Sequence, residues 1–149
     1  MFKHILIPTD GSKLAAKGVK AGVKLARALG AKVTGLYVIF PYVPPIYGEA
    51  ALYYVPGVSA KESRKLLEKQ AKKALAAVEI EAQTARVPCA TRFVTQDQPW
   101  KAILRTAQSR RCDTIVMASH GRGGLGGLIL GSETTRVLAS SKIPVLVVR

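Results

Sequence analysis

A glycine-rich segment between a predicted strand and a predicted helix is the clearest candidate for binding chemistry in this sequence. Residues 118–132 read ASHGRGGLGGLILGS and contain six glycines and one arginine. They follow the apolar run Thr114–Met117 and precede a helical pattern that begins near Ser132. Glycine lets backbone N–H groups approach a ligand closely, and a helix N-terminus adds unpaired N–H groups and a positive dipole end. The segment therefore predicts a cradle for an anion, with phosphate as the first candidate.

A second polar segment, Pro8–Ser12 (PTDGS), follows the first predicted strand. In an open parallel sheet, ligands bind beyond the carboxyl ends of the strands, where the winding reverses. If the first and fourth strands are neighbours, Asp10 faces the same crevice as the glycine segment, and its carboxylate can accept hydrogen bonds from ribose hydroxyls. A turn or helix-capping role for Asp10 explains the same residue equally well.

The sequence offers no arrangement that is typical of efficient catalysis. It has no Walker lysine–serine pair, no nucleophile elbow and no second carboxylate near Asp10. Phosphoryl transfer needs an acid that holds a metal ion and a positioned base. We therefore predict no catalytic residues.

Strand and helix patterns alternate along the chain and must position both polar segments. Apolar runs predict five strands, and apolar side chains at helical spacing predict four helices. A capping box, Ser59–Glu62, opens the second helix, and Asp97 or Gln98 caps the third. This order predicts one α/β domain over residues 1–149, with a parallel sheet and helices on both faces. The strands are expected at 2–8, 31–40, 87–95, 114–118 and 143–148, and the helices over 12–30, from 59 to about 83, from 99 and over 132–139.

The composition is that of a globular protein with one core. The chain has 149 residues, of which 48% are hydrophobic. No apolar run approaches the ~18 residues of a membrane span. The first residues enter a strand directly, so we expect no signal peptide and a cytoplasmic location. Cys89 and Cys112 lack metal-ligand spacing, which predicts free thiols and no metal site.

The formal net charge of +14 implies attraction to polyanions. Five lysines of the second predicted helix recur at helical spacing, as is typical of a solvated face: Lys61, Lys65, Lys69, Lys72 and Lys73. No arginine-rich or aromatic-interleaved motif accompanies them. We therefore favour the solvated face over a dedicated nucleic-acid surface.

Three further features have local interpretations. Residues 41–58 contain four prolines and four tyrosines without a clear period, which predicts a long loop that is functional or interfacial. His4 is expected at an edge or an end of the sheet, and Trp100 is expected in the core.

Four motifs together resemble the universal stress protein family over essentially the whole chain. They are PTDGS after the first strand, LYVI in the second, SHGRGG…LGS before the last helix and PVLVV at the end. The resemblance implies a UspA-like domain with a Rossmann-like sheet of strand order 3-2-1-4-5, in which the first and fourth strands are neighbours. It also implies an ATP-binding switch or sensor of the stress response, an unknown regulatory partner, and a homodimer formed by the strand at 143–148.

Nucleotide-binding members of that family carry a phosphate motif of Gly, two residues, Gly, nine residues and Gly-Ser/Thr. Gly121 matches the second glycine and Gly131–Ser132 close the motif, while Ala118 stands where the first glycine is expected. By position, the resemblance implies that Asp10 meets the ribose, Val38 the adenine and the motif residues the phosphates. The other candidate nucleotide-binding residues are Pro8, Thr9, Met117, Ala118, His120, Arg122, Glu133 and Thr134.

Several roles within this candidate set stay open. His120 either touches phosphate or bonds the nearby backbone, and Arg122 either contacts a β- or γ-phosphate or is simply exposed. Asp10 is a candidate indirect ligand of Mg²⁺. Because some family members hydrolyse ATP slowly or phosphorylate themselves, Ser132 and Thr134 are the candidate phosphate acceptors.

Two other functions remain as alternatives to a nucleotide-binding regulator. A nucleotide-free dimer that acts through protein or chaperone-like contacts is favoured by Ala118 and by the tyrosine- and proline-rich loop. Nucleic-acid binding is favoured by the net charge alone.

Overall fold

The computed structural model describes residues 1–41, 59–121 and 130–149. The predicted loop at 41–58, apart from Pro41, and the candidate Arg122 lie outside the described residues. The elements are β1 His4–Pro8, α1 Lys13–Leu29, β2 Lys32–Ile39, α2 Ala60–Thr84, β3 Cys89–Thr95, α3 Pro99–Ser109, β4 Thr114–Ala118, α4 Ser132–Ser140 and β5 Val145–Val148.

The five strands form one parallel sheet in the order β3-β2-β1-β4-β5, which confirms the order that the family resemblance implies. β1 is the central strand, and its Ile5 pairs with Val33 of β2 and with Thr114 of β4. Since β1 and β4 are neighbours, the segments that follow them leave the sheet at the same edge.

Helices cover both faces of the sheet, as the apolar strand runs predict. On one face, α1 and α2 pack over a cluster that includes Ile7, Val33 and Val116. On the other face, α3 and α4 pack over a cluster that includes Leu36 and Ile115. Burial on both sides explains why these strands read as nearly continuous apolar runs.

Local sequence signals set three of the helix ends. The Ser12 hydroxyl accepts a hydrogen bond from Ala15 N at 3.1 Å, and Ser59 and Glu62 form the expected capping box on α2. Gly30 ends α1 with φ 64°, a conformation that glycine adopts without strain. The cap of α3 is Gln98, whose side chain makes no capping bond.

His4 lies at an end of the sheet, one of the two positions expected for it, because it is the first residue of the central strand. It is 8% exposed, and its Nε2 lies 2.8 Å from Thr34 Oγ1. Three predicted strands need correction, because each begins two residues later than expected: β1 at His4, β3 at Cys89 and β5 at Val145. Trp100 is half-buried and packs against the cluster beneath α3 and α4.

Two glycines let α1 lie close to the sheet. A Cβ at Gly22 would come within 2.5 Å of Ile7 Cδ1, and a Cβ at Gly18 within 3.1 Å of the Ala118 backbone nitrogen. The α1 helix is therefore held directly against β1 and the end of β4. No helix in the described part of the chain is both long and apolar enough to cross a bilayer.

Candidate functional site

The two polar segments meet at the carboxyl ends of β1 and β4. A Cβ at Gly121 would lie 2.6 Å from Asp10 Oδ2, so the backbone at Gly121 lies directly beside this carboxylate. The fold therefore brings together the two segments that the sequence singles out. Only glycine at position 121 leaves the Asp10 carboxylate undisturbed.

The β1–α1 turn shows that Asp10 has a structural role as well. Asp10 Oδ1 accepts a hydrogen bond from Ser12 N at 2.9 Å, and Thr9 Oγ1 accepts one from Gly11 N at 3.2 Å. Gly11 has φ 78°, which favours glycine. Asp10 Oδ1 therefore belongs to the turn, whereas Oδ2 faces Gly121.

The start of α4 is built differently from the starts of α1 and α2. Its N-cap is Gly131, which has no side chain to accept the first backbone N–H groups, whereas serine hydroxyls cap the other two helices. Gly131 N donates to Ser119 O at 2.8 Å, and a Cβ at Gly131 would lie 3.0 Å from His120 Cα. The first turn of α4 is therefore tied against the end of β4, and no side chain at its cap position accepts from its N–H groups.

Two candidate residues of α4 bond to the protein itself. Thr134 is 2% exposed, and its hydroxyl donates to the Ala118 carbonyl at 3.1 Å. Glu133 Oε2 accepts a hydrogen bond from Trp100 N at 2.8 Å, and Oε1 pairs with Arg136 at 3.4 Å. These contacts fix α4 to β4 and to the start of α3.

Ser119 is a residue of this site that sequence reasoning overlooked. Its backbone N donates to Val148 O at 2.8 Å, its carbonyl accepts from Gly131 N, and its Oγ lies 3.2 Å from His120 Nδ1. Ser119 therefore links β5, the end of β4 and the cap of α4. Its position between Ala118 and His120, inside the motif, is the only sequence signal for this role.

The apolar candidates lie beneath the crevice. Val38 is half-buried near the end of β2, and Met117 is buried near the end of β4; both belong to the cluster on the α3 and α4 face. Pro8 is half-buried and pairs with Leu36, and Thr9 N donates to Leu36 O at 2.9 Å.

Ala118 turns its methyl group away from that cluster. Its neighbour Val116, two residues earlier, packs on the α1 face, and side chains alternate along a strand. Ala118 therefore faces α1 opposite Gly18, and it is 8% exposed.

The two thiols are free and lie away from the crevice. Burial raises the pKa of Cys112 to about 11, so this thiol stays protonated at neutral pH. Burial also raises the pKa of Cys89. Among the residues that the structure describes, no three His, Cys, Asp or Glu side chains come close enough together to hold a metal ion.

A groove of about 480 Å³ runs down from the β1–α1 turn between the two helices of this face. Thr9 and Gly11 line its upper end, and Lys20 of α1 and Lys73 of α2 line its length.

The sheet order defines a Rossmann-like α/β domain with a switch point between β1 and β4. The sequence model described as the universal stress protein family matches residues 1–149, and the chain belongs to that family. It is 35% identical to a universal stress protein of Thermus aquaticus over 149 residues, which cover both chains in full. It is 31% identical to one of Methanocaldococcus jannaschii, covering 100% of this chain and 83% of that protein.

Solved structures share the fold. UspA from Lactobacillus plantarum is 24% identical with a TM-score of 0.78, covering 99% of this chain and 98% of that one. A universal stress protein in complex with cAMP is 23% identical with a TM-score of 0.72, covering 99% and 97%. A family member from Arabidopsis thaliana with AMP bound is 15% identical with a TM-score of 0.67, covering 98% and 90%.

Proposed function

We propose that this chain is an ATP-binding regulatory protein that acts as a switch or sensor in the stress response. The observation that carries the proposal is the approach of the Gly121 backbone to the Asp10 carboxylate, next to a helix start capped by Gly131. The solved relatives with cAMP and with AMP bound support a nucleotide as the ligand class. ATP, the cytoplasmic location and the unknown regulatory partner are part of this proposal.

The proposed ligand uses each part of the crevice for one group. The Asp10 carboxylate accepts hydrogen bonds from the ribose hydroxyls. The backbone at Gly121 and the first turn of α4, which begins after Gly131, hold the phosphates, because a helix N-terminus presents unpaired N–H groups and its dipole favours an anion. Val38 packs against the adenine. Bound Mg²⁺ would neutralise phosphate charge, with Asp10 bonding to its waters.

Ala118 is compatible with this arrangement. The family motif expects glycine here, but the methyl group of Ala118 faces α1, where Gly18 has no side chain to oppose it. The substitution therefore adds volume beneath α1 and leaves the cradle backbone open. This argument supports nucleotide binding over a nucleotide-free function.

Self-phosphorylation, if it occurs at this site, would use Ser132. Ser132 is exposed at the first position of α4, whereas the buried Thr134 hydroxyl already donates to the Ala118 carbonyl. Phosphopeptide mapping after incubation with labelled ATP distinguishes the two residues.

The β5 strand supports the proposed homodimer. It lies at the edge of the sheet among the described strands, and Leu146 on it is 45% exposed. An exposed strand edge is a ready template for pairing with a second copy of the chain.

The nucleotide content of the purified protein tests the proposed function. Mass spectrometry of the supernatant after denaturation identifies any ligand that co-purifies. Equilibrium dialysis then measures the affinity of the ligand-free protein for ATP, AMP and cAMP. We expect saturable ATP binding at one site per chain. A protein that binds none of the three at millimolar concentration would favour the nucleotide-free dimer instead.

A further inference from the structure

The exposed side of α1 carries a stripe of cations with no acidic residue. The stripe consists of Lys13, Lys17, Lys20, Lys24 and Arg27, all exposed. Steps of three and four residues keep these side chains on one side of the helix, and α1 contains neither Asp nor Glu. Both ion pairs among the described residues lie outside α1. Within the described residues, no lysine of the stripe is therefore neutralised by an ion pair.

The stripe is unfavourable for the helix itself. Lys13 occupies the first position of α1, at the positive end of the helix dipole, where an acidic residue stabilises. Lys13 and Lys17, and likewise Lys20 and Lys24, are like charges at i,i+4, which repel each other. Helix stability therefore accounts for Arg27 in the last turn but not for the four lysines, whereas an external anion accounts for the lysines.

The neighbouring helix extends the positive surface. α2 packs beside α1 on the same face, and the groove of about 480 Å³ between the two helices is lined by Lys20, Lys73 and one acidic residue, Glu81. Lys65 and Lys69 are exposed earlier on α2. Considered without its neighbour, the lysine repeat of α2 is typical of a solvated face. Because the stripe on α1 lies beside it, we interpret the two together as one positive surface. We call the four lysines of α1 together with Lys65, Lys69 and Lys73 the α1–α2 cationic face.

The side-chain chemistry of this face selects its partner. Lysine is a point charge suited to phosphate rather than to base edges. Neither helix contains an aromatic residue, so neither offers a surface on which single-stranded bases stack. The apolar stripe of α1, which includes Val19 and Val23, is buried in the core and cannot insert into a bilayer.

The face is also long enough to meet several phosphates of a duplex at once. Lys13 to Lys24 span about 16 Å at ~1.5 Å per residue, and duplex DNA presents one phosphate charge per ~1.7 Å of its axis. We propose that the α1–α2 cationic face binds the phosphate backbone of duplex nucleic acid without reading its sequence. This function is separate from nucleotide binding in the crevice.

Fluorescence anisotropy with two unrelated 20-base-pair duplexes tests the proposal. We expect both duplexes to bind equally, with an affinity that falls steeply between 50 and 200 mM salt, as about four or more phosphate contacts require. A clear preference for one sequence, an affinity that does not change with salt, or no binding to either duplex overturns the proposal. This measurement needs no variant.

A matched pair of triple variants then locates the surface. Lys17→Gln, Lys20→Gln and Lys24→Gln together should weaken binding by roughly 100-fold near 0.1 M salt and reduce the salt slope by about 3. The control removes the same charge from elsewhere on the chain, through Lys101→Gln, Arg105→Gln and Lys142→Gln. It should weaken binding by less than about threefold. Glutamine and lysine have similar helix propensities, so α1 should fold in the variant.

Two outcomes would contradict this assignment. Equal losses in both triple variants would mean that net charge alone attracts the duplex. Binding to phosphatidylserine vesicles without binding to duplexes would assign the face to a membrane, with the exposed Leu66 and Ile80 of α2 as its contacts. ATP binding should be unchanged in the α1 variant, which separates this proposal from the proposed function.

Discussion

Gly18 of α1 lies so close to Ala118 of β4 that a Cβ at position 18 would come within 3.1 Å of the Ala118 amide nitrogen. Ala118 also stands where the nucleotide-binding motif of the family expects glycine. Because the methyl group of Ala118 faces α1, the missing side chain at Gly18 lets the helix and the strand end approach each other. The position of the strand end, and of the cradle that follows it, thus depends on a residue far away in sequence.

A matched pair of glycine substitutions in α1 tests this relationship. Gly18→Ala should displace the end of β4 and weaken ATP binding by at least about tenfold. Gly22→Ala instead meets the flexible end of the Ile7 side chain, so it should leave ATP affinity within about threefold of wild type. Both should lower the free energy of unfolding by about 1–3 kcal/mol through overpacking. Calorimetric titration measures the ATP affinity of each variant, and urea unfolding measures its stability. Equal losses of ATP affinity in the two variants would contradict the proposed dependence of the site on the contact between Gly18 and Ala118.

The contact between Gly121 and Asp10 gives a second prediction. Gly121→Ala places a methyl group 2.6 Å from Asp10 Oδ2, so the carboxylate must move and ATP affinity should fall by at least about tenfold. The control is Gly30→Ala, at a positive φ with nothing within 4 Å of the added carbon. It should cost about 1 kcal/mol of stability and leave ATP affinity unchanged. An unchanged ATP affinity in Gly121→Ala would contradict the proposal that Asp10 binds the nucleotide.

His4 gives the chain a predicted pH dependence of stability. Burial and, secondarily, Lys32 lower the pKa of His4 from its ordinary value of 6.5; a hydrogen bond to the Arg110 backbone and the charge of Asp113 raise it by less, and the Arg110 charge lowers it slightly. The folded state therefore binds fewer protons than the unfolded state between the lowered pKa and about 6.5. The free energy of unfolding should fall as the pH drops below about 6.5 and level off once the pH is below the folded pKa.

Urea unfolding between about pH 5 and pH 7.5 measures this dependence. His4→Gln should flatten the slope, whereas His120→Gln, at the other histidine of the chain, should retain it. A slope that persists in His4→Gln would assign the pH dependence to other groups.

The edge of β5 gives a prediction about assembly. Ile115 N donates to the Pro144 carbonyl, and Ser119 N donates to the Val148 carbonyl. Because backbone groups alternate in direction along a strand, Leu146, midway between those two residues, also directs its N–H and carbonyl toward β4. Val147 therefore directs its N–H outward, to the free edge. Val147→Pro should remove an outward donor without breaking the β4 ladder.

Sedimentation analysis checks the dimer. We expect Val147→Pro to be a monomer that still binds ATP, and Val147→Ala to remain a dimer. A proline variant that is folded and still dimeric would place the subunit interface elsewhere.

The sequence predicts those features of the fold that depend on neighbouring residues. Ser12, Ser59 and Gly30 are recognisable helix ends, and the apolar runs of β1 and β4 are recognisable as buried strands. The strand order cannot be predicted in this way, because nothing in the spacing of residues indicates that β1 lies beside β4. That order came from the resemblance to the family. His4 shows the same limit, since its position on the central strand depends on which strands flank it.

The candidate site is predictable to the same degree. The types and spacing of Asp10, Gly121 and Gly131 mark them as candidates without any structure. The sequence cannot show that the two carboxylate oxygens of Asp10 differ in environment. Oδ1 accepts a hydrogen bond within the turn, whereas Oδ2 faces Gly121. It also cannot show that Glu133 bonds to the start of α3, because that contact joins two helices through tertiary packing.

Binding of ATP to Gly131→Asp and Gly131→Asn tests the central claim most directly. Both residues are favourable N-caps and both add nearly the same volume beside His120, so the two variants differ mainly in charge. Equilibrium dialysis should find that Gly131→Asp abolishes ATP binding because it places a negative charge in the cradle, whereas Gly131→Asn retains measurable affinity. ATP affinities that are equal in the two variants would contradict the claim that this cradle holds the phosphates.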